Sequence, residues 1–266
     1  METSDLSELQ QRHVKKYDEM QEVVNDVDFD HYSTKRFGPW NPYWCVHNYV
    51  ERYYSHPGQK LLTFGCGSGI DALRYARMGY QVYGFDISQR RIRVAQALAA
   101  KYGYEGKTQF SVQPAENLDY ASDFFDIVVG VNVLHHIDVE ESMKQVAKVL
   151  KKGGRAIFKE PLQTPARDRI RNSRLVTWLI PKNVKSIPKK LKYSDVEGEH
   201  KLNDRDFAIV RRHFSRLTIK RWRVLALLSF LMANKPFLEK CDWLLFRALP
   251  FVRRLGDQAV LVIEND

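Results

Sequence analysis

The chain predicts an α/β fold built on an open, mostly parallel sheet of seven strands with helices on both faces. Three observations carry this. Short apolar runs at 60–64, 81–85, 108–112, 124–130 and 155–159 alternate with amphipathic helical patterns. The first run breaks into three alternating glycines, Gly65, Gly67 and Gly69, directly before a helical pattern. Two later apolar runs, Leu217 to Val224 and Gln258 to Glu264, supply a sixth and a last strand. Buried parallel strands read as near-continuous apolar runs, as here. Right-handed crossovers then place the C-terminal ends of the parallel strands on one edge, where ligands bind.

Taken in order, residues 3–24 read as a polar amphipathic helix. Residues 26–44 hold Phe29, His31, Tyr32, Phe37, Trp40, Tyr43 and Trp44, broken by Gly38-Pro39 and Asn41-Pro42, and read as a folded aromatic loop. A helix from Tyr43 to Ser55 ends at His56-Pro57-Gly58. Residues 1–57 are thus expected to form an N-terminal cap on a domain of residues 58–266. Helices are expected at 69–78, 88–102 and 139–150, the last stopped by Lys151-Lys152-Gly153-Gly154. After Pro161 the alternation gives way to two insertions, 163–215 and 225–257. The first carries a helix at 166–180 and another through His213, capped by Asn203-Asp204. The second reads as two helices broken near Asn234-Lys235-Pro236.

The net charge of +10 is concentrated: 17 Lys/Arg face 6 Asp/Glu between Pro161 and Arg223. That block marks an electropositive face. Cys45, Cys66 and Cys241 form no CxxC pair and no even framework, which favours a reduced, cytoplasmic setting. The N-terminal segment has no apolar signal core. The longest apolar run, Leu225 to Ala233, covers about half of a membrane span. The histidines and cysteines show no metal-ligand spacing, so no metal is expected.

Three features lie at the C-terminal ends of predicted strands. In the glycine turn, Gly65 and Gly67 bring a ligand against bare backbone and Gly69 lets the helix pack close. Ile70 stands where the dinucleotide fingerprint needs its third glycine, which argues against NAD or FAD, and no Gly-Lys-Ser/Thr completes a phosphate loop. Asp86 ends the second strand 21 residues after Gly65, the usual reach for a carboxylate accepting ribose hydroxyls. Ala115-Glu116-Asn117-Leu118 follows the third strand, where an adenine edge would lie.

Together with Phe125-Asp126-Ile127-Val128-Val129, Leu134-His135-His136-Ile137 and Leu150-Lys151-Lys152-Gly153-Gly154, these segments resemble class I S-adenosylmethionine-dependent methyltransferases over residues 58–162. The resemblance implies a Rossmann-like sheet whose last strand runs antiparallel, and S-adenosyl-L-methionine as cofactor. Gly65, Cys66, Gly67 and Gly69 then line its methionine side, Asp86 and Ile87 its ribose, and Ala115 and Glu116 its adenine. Asn132, Tyr32 and Trp40 are further cofactor-side candidates, the last two through an aromatic loop closing over the site. The chain departs from the family at Thr63 and Pro114, where acids are common. Thr63 is expected to bind through its hydroxyl or backbone, and Glu116 to replace the aspartate.

Methyl transfer from a sulfonium needs alignment first and a base when the acceptor is a weak nucleophile. His135 and His136, just past the fourth strand, and Glu160, ending the fifth, are the candidate catalytic bases, with at most one histidine facing the acceptor. The expected acceptor is a small biosynthetic molecule, anionic or amphipathic in view of the basic, apolar insertions. The alternatives are a lipid or isoprenoid acceptor reached through peripheral membrane contact and an RNA or protein substrate. No separate RNA-binding motif is visible, which argues against nucleic acid.

Overall fold

The computed structural model describes residues 6–19, 26–166, 169, 200–225 and 235–266. The expected helix at 166–180 with Arg167, Arg171 and Arg174, the acidic stretch Asp195 to Glu199, and the apolar residues 226–233 lie outside these.

Seven strands form one sheet: β1 (Lys60–Phe64), β2 (Gln81–Asp86), β3 (Thr108–Val112), β4 (Phe125–Val131), β5 (Leu150–Pro161), β6 (Arg216–Trp222) and β7 (Gln258–Asn265). Their order is β3-β2-β1-β4-β5-β7-β6. The first five pair in parallel, while β7 runs antiparallel to β5 and β6. The strand order reverses between β1 and β4, so their C-terminal ends open the crevice where ligands bind in such sheets.

The helices follow the sequence pattern closely. α1 (Glu8–Glu19) lies inside the expected 3–24, and α2 spans Pro42–Tyr53. Asn41 caps α2 by accepting from the amides of Tyr43 and Trp44 at 2.9 and 3.1 Å, which fixes where the helix starts. α3 (Ile70–Met78), α4 (Gln89–Tyr102) and α5 (Val139–Val149) connect the parallel strands. α6 (Asp204–His213) opens with a full capping box between Asn203 and Asp206. α7 spans Lys235–Ala248, followed by a 3-10 turn at Pro250–Leu255.

One expectation needs correction. The strand after α5 begins at Leu150 and not at 155. Leu150 already pairs with Phe125, and a register shift before the next pair, Ile127 with Arg155, absorbs Lys151 to Gly154 as an irregularity within the strand.

Two apolar layers flank the sheet. One packs Leu62, Phe64, Val128 and Phe158 under α5 and α6, through Met143, Val146, Phe207 and Val210. The other packs Leu61, Val129, Ile157 and Val262 under α2 and α3, through Val46, Val50, Tyr75 and Ala76. Successive residues of each strand thus serve opposite layers. That alternation decides which strand-end side chains meet at the crevice.

Candidate active site

The glycine turn between β1 and α3 has the backbone that bare residues allow. Gly65, Gly67 and Gly69 all have positive φ, at 66°, 53° and 79°. A Cβ on Gly65 would lie 2.7 Å from Val133 Cγ2, and one on Gly69 would lie 2.7 Å from Ala95 of α4, so both are fixed by close packing. A Cβ on Gly67 would meet only Arg91 Nη1, at 3.7 Å. Backbone at Gly67 therefore faces open space.

Two hollows adjoin across Gly65, Arg91 and Val131. The first, about 130 Å³, is bordered by Asp86, Ile87, Ala115, Glu116, Asn132 and His136. The second, about 240 Å³, is bordered by the turn itself with Thr63, Asp71 and Tyr75. The structure thus gathers residues from the ends of β1, β2, β3 and β4 into one cleft.

Asp86 lies at its floor, 7% exposed. Its carboxylate accepts from the Gly67 amide and the Ser88 amide, both at 3.0 Å, and lies 4.0 Å from Arg91 Nη1. The acid thus ties the glycine turn to the start of α4. Cys66 is a turn residue whose thiol is pushed well up by burial, reinforced by the Asp86 charge. It stays neutral and borders the second hollow only as a small side chain.

Thr63 donates its hydroxyl to the Tyr83 carbonyl at 3.1 Å, so its side chain joins β1 to β2. The acid bordering the second hollow is Asp71, in the first turn of α3, paired with Arg74 at 2.7 Å. Glu116 has both oxygens engaged: one accepts from Gln10 Nε2 at 2.8 Å, the other from the Asp138 amide at 3.2 Å.

The Gln10 contact reveals what the sequence did not announce. α1 lies over the first hollow, which Gln10 and His13 help to line. His13 meets His136 edge to face at 5.2 Å. Farther along the helix, Asp18 accepts from the Ser88 hydroxyl.

The two histidines past β4 divide as their adjacency requires. His136 borders the first hollow. His135 is 3% exposed and its Nδ1 lies 2.7 Å from Glu160 Oε2. Glu160 is fully buried, and its other oxygen accepts from the amides of Val133 and Leu134 at 2.8 and 2.9 Å. A carboxylate is acceptor-only, so His135 donates Nδ1–H to it. Glu160 and His135 therefore hold the turn after β4 and do not face the cleft, contrary to their reading as bases. Tyr32 and Trp40 also fall outside both hollows. Tyr32 packs among His31, Phe37 and His47 with Arg74 over its ring, and Trp40 lies under Lys240.

Beside Asn132 stands a cluster that sequence reading missed. Lys159, at the end of β5, is 2% exposed. Its ammonium donates to Asn132 Oδ1 at 2.7 Å and to the Tyr43 hydroxyl oxygen at 3.3 Å. Asn132 Nδ2 donates to the same Tyr43 oxygen at 3.2 Å. Asn132 itself has φ 56°, a left-handed conformation that asparagine tolerates. Burial pulls Lys159 below the usual lysine range. For Tyr43, burial alone would raise the hydroxyl, but the Lys159 charge and the bonds from Asn132 and Lys159 outweigh it and hold it below the ordinary tyrosine range.

A family profile described as "Methyltransferase domain" matches residues 62–158, from β1 to β5. Over this stretch the chain is similar to methyltransferase domains. Among curated relatives, a ubiquinone biosynthesis O-methyltransferase of Sinorhizobium medicae is 30% identical over 145 residues, covering 53% of this chain and 57% of that protein. Methyltransferase GfsG of Streptomyces halstedii is 35% identical over 107 residues, 40% of this chain and 38% of that one. The matched part is thus less than two thirds of either relative. Among solved structures, a geranyl diphosphate C-methyltransferase of Streptomyces coelicolor superposes with a TM-score of 0.61 over 98% of this chain and 99% of that one. At 12% identity that likeness shows the fold alone. The matched stretch supplies most of the residues that border the cleft described above.

Proposed function

We propose that the chain is an S-adenosylmethionine-dependent methyltransferase acting on a small-molecule acceptor by in-line displacement. The observation that supports this most is the paired hollow at the β1/β4 switch point, with bare Gly67 backbone at one wall and Asp86 anchored at the floor. A Cβ at position 67 would project into that space, so the turn fits a ligand laid against it. In this reading Gly65, Cys66, Gly67 and Gly69 border the methionine portion. Asp71 takes the part of the acid missing at Thr63 and attracts the ammonium. Asp86 and Ile87 hold the ribose, Ala115 and Glu116 flank the adenine, and α1 covers it through Gln10 and His13. When bound, the cofactor supplies a methyl group already activated on a sulfonium. The work left to the chain is to align the acceptor and exclude water.

Relatives named for ubiquinone biosynthesis and for rifamycin SV support a small acceptor. An amphipathic, anionic character is supported by a cavity of about 570 Å³ beside α2, where Trp44, Tyr49 and Trp243 alternate with Arg52, Lys220 and Arg253. Incubation with tritiated S-adenosylmethionine and a fractionated metabolite extract tests the reading. Protein-dependent label in a low-molecular-mass product is expected; label confined to RNA or polypeptide contradicts it.

A second reading, an acceptor presented at a membrane, has its own observation. Phe237, Leu244, Leu249 and Phe251 are exposed, at 48%, 59%, 43% and 70%. Phe237 and Leu244 share one face of α7 with Lys240, and Arg247 lies at its border. The nearby acids are engaged: Glu239 accepts from Asn41, and Asp242 is buried. Apolar side chains ringed by cations suit an anionic bilayer surface. Among the described residues no helix is long and apolar enough to cross a membrane. Co-sedimentation with vesicles containing phosphatidylglycerol, lost in Phe237→Ser/Leu244→Ser/Phe251→Ser, would favour this reading over the first. Equal recovery in the supernatant with and without vesicles would remove it.

A further inference from the structure

Lys159 is a buried charge that cofactor binding does not require. Among the described residues no carboxylate lies within 4 Å of its ammonium. Its neighbour in sequence, Glu160, turns to the opposite layer and is taken up by His135 and two amides. Across the sheet Lys159 pairs with Val260, which offers no charge. What faces the ammonium is neutral: the Asn132 carbonyl oxygen and the Tyr43 hydroxyl, with the Tyr43 ring also lying 4.5 Å away. Two further charges act on the pair: Glu160, which favours the ammonium from beyond hydrogen-bond reach, and Arg223, which disfavours it and favours an anion at Tyr43.

An ammonium taken out of water without a counter-ion costs several kcal/mol. Ionising Tyr43 supplies one. The pair then holds an ammonium against a phenolate whose oxygen already accepts two hydrogen bonds, from Lys159 and from Asn132. Tyr43 as a whole residue is 36% exposed. Tyr43 itself borders neither hollow; Asn132, which donates to its oxygen, borders the first and places that oxygen one residue from the cleft.

We propose that Tyr43, held by Lys159 and Asn132, is the catalytic base of this chain and that its acceptor is a hydroxyl compound. The inference rests on the methyltransferase reading and adds to it the base and the class of nucleophile. The acceptor oxygen gives its proton to the Tyr43 oxygen and forms a C–O bond to the methyl carbon. The C–S bond breaks with its electron pair left on sulfur, and the tyrosine proton passes to solvent. Lys159 and Asn132 are positioning residues. They set the ionisation and direction of the phenol without touching the acceptor. Of the common acceptors a hydroxyl is the weakest nucleophile at neutral pH and gains most from a phenolate placed in this way.

The test uses the full chain without cofactor or acceptor. Tyrosine labelled with carbon-13 at Cζ is followed by NMR as pH is raised, with Tyr43→Phe to assign the resonance. The Tyr43 signal is expected to titrate below the roughly 10 of an unperturbed tyrosine, to move upward in Lys159→Met and to stay low in Lys159→Arg, which keeps the charge. If Tyr43→Phe does not fold, the response of one resonance to both Lys159 variants identifies it. Titration at or above the ordinary tyrosine range, or a position indifferent to Lys159→Met, overturns the proposal and leaves the methyltransferase reading intact. Absence of S-adenosylmethionine binding would overturn the methyltransferase reading and with it the role of base, even where Tyr43 titrates low.

Discussion

Two buried charges sit on consecutive residues at the end of β5 and meet opposite fates. Glu160 points into the layer under α5 and has every described neighbour arranged as a donor: two amides and His135. Lys159 points into the layer under α2 and meets only neutral oxygens. A buried carboxylate surrounded by donors is spent on structure, because each bond to it replaces one lost from water. A buried ammonium facing a phenol has a proton equilibrium left to offer. Strand-end position is common to both; the face of the sheet decides which one can act.

The contrast is sharpest in stability. Glu160→Ala should strand His135 and two buried amides and cost about 3–5 kcal/mol, read as a lowered urea midpoint. A loss below about 1 kcal/mol would break the structural half of the comparison. Lys159→Met should behave oppositely, since an apolar chain of similar volume replaces the buried cation while its partner Tyr43 returns to the neutral phenol, an exchange that is neutral or stabilising. Its urea midpoint should match or exceed that of the parent.

Activity reverses the ranking. Once an acceptor is in hand, Tyr43→Phe should leave cofactor affinity within about twofold and lower single-turnover methyl transfer by about 10²-fold or more. The residual rate should rise with pH as the acceptor ionises by itself. An unchanged rate across pH would return the search for a base to His136, the histidine that does border the cleft.

The smallest effect concerns a third buried acid. Asp242 is pushed up to about 6 by burial, against the bonds it accepts from the backbone at Leu225 and Val224. A folded-state value above the unfolded one means the folded form binds its proton more tightly. The stability this contributes is complete below the unfolded value near pH 4 and is lost as pH rises through about 6. Asp242→Asn keeps a carbonyl for the Leu225 amide and removes this dependence. It should gain ~2 kcal/mol on the parent between pH 4 and pH 7, measured by thermal melts at both pH values. Equal shifts in both proteins would show that burial does not govern this acid.

Much of the fold was legible because its signals are local. Apolar runs, the Gly65 to Gly69 turn and the Asn203 cap each depend on a few adjacent residues, and crossover handedness puts the C-terminal ends of the parallel strands on one edge. Asp86 was legible for the same reason, since its distance from the turn is set by one strand–helix–strand unit. The base was not. Strand-end position brought Glu160 to notice, but only packing shows that it faces α5 while Lys159 faces α2. Tyr43 lies 116 residues before its lysine, in a stretch read as an aromatic loop leading into a helix. Its meaning arises from a contact that no spacing rule predicts. Likewise Gln10 and His13 look like ordinary helix residues until α1 is laid across the first hollow. Tyr32 and Trp40 erred in the other direction, as aromatic density in 26–44 serves packing around Arg74 and Lys240.

The most direct measurement is isothermal calorimetry of S-adenosylmethionine against the parent chain and Asp86→Ala, with circular dichroism to confirm that both are folded. The account predicts saturable one-to-one binding to the parent and an affinity at least about tenfold weaker, ~1.4 kcal/mol, in the variant. No heat of binding to the folded parent, or equal affinity in the two proteins, would contradict it.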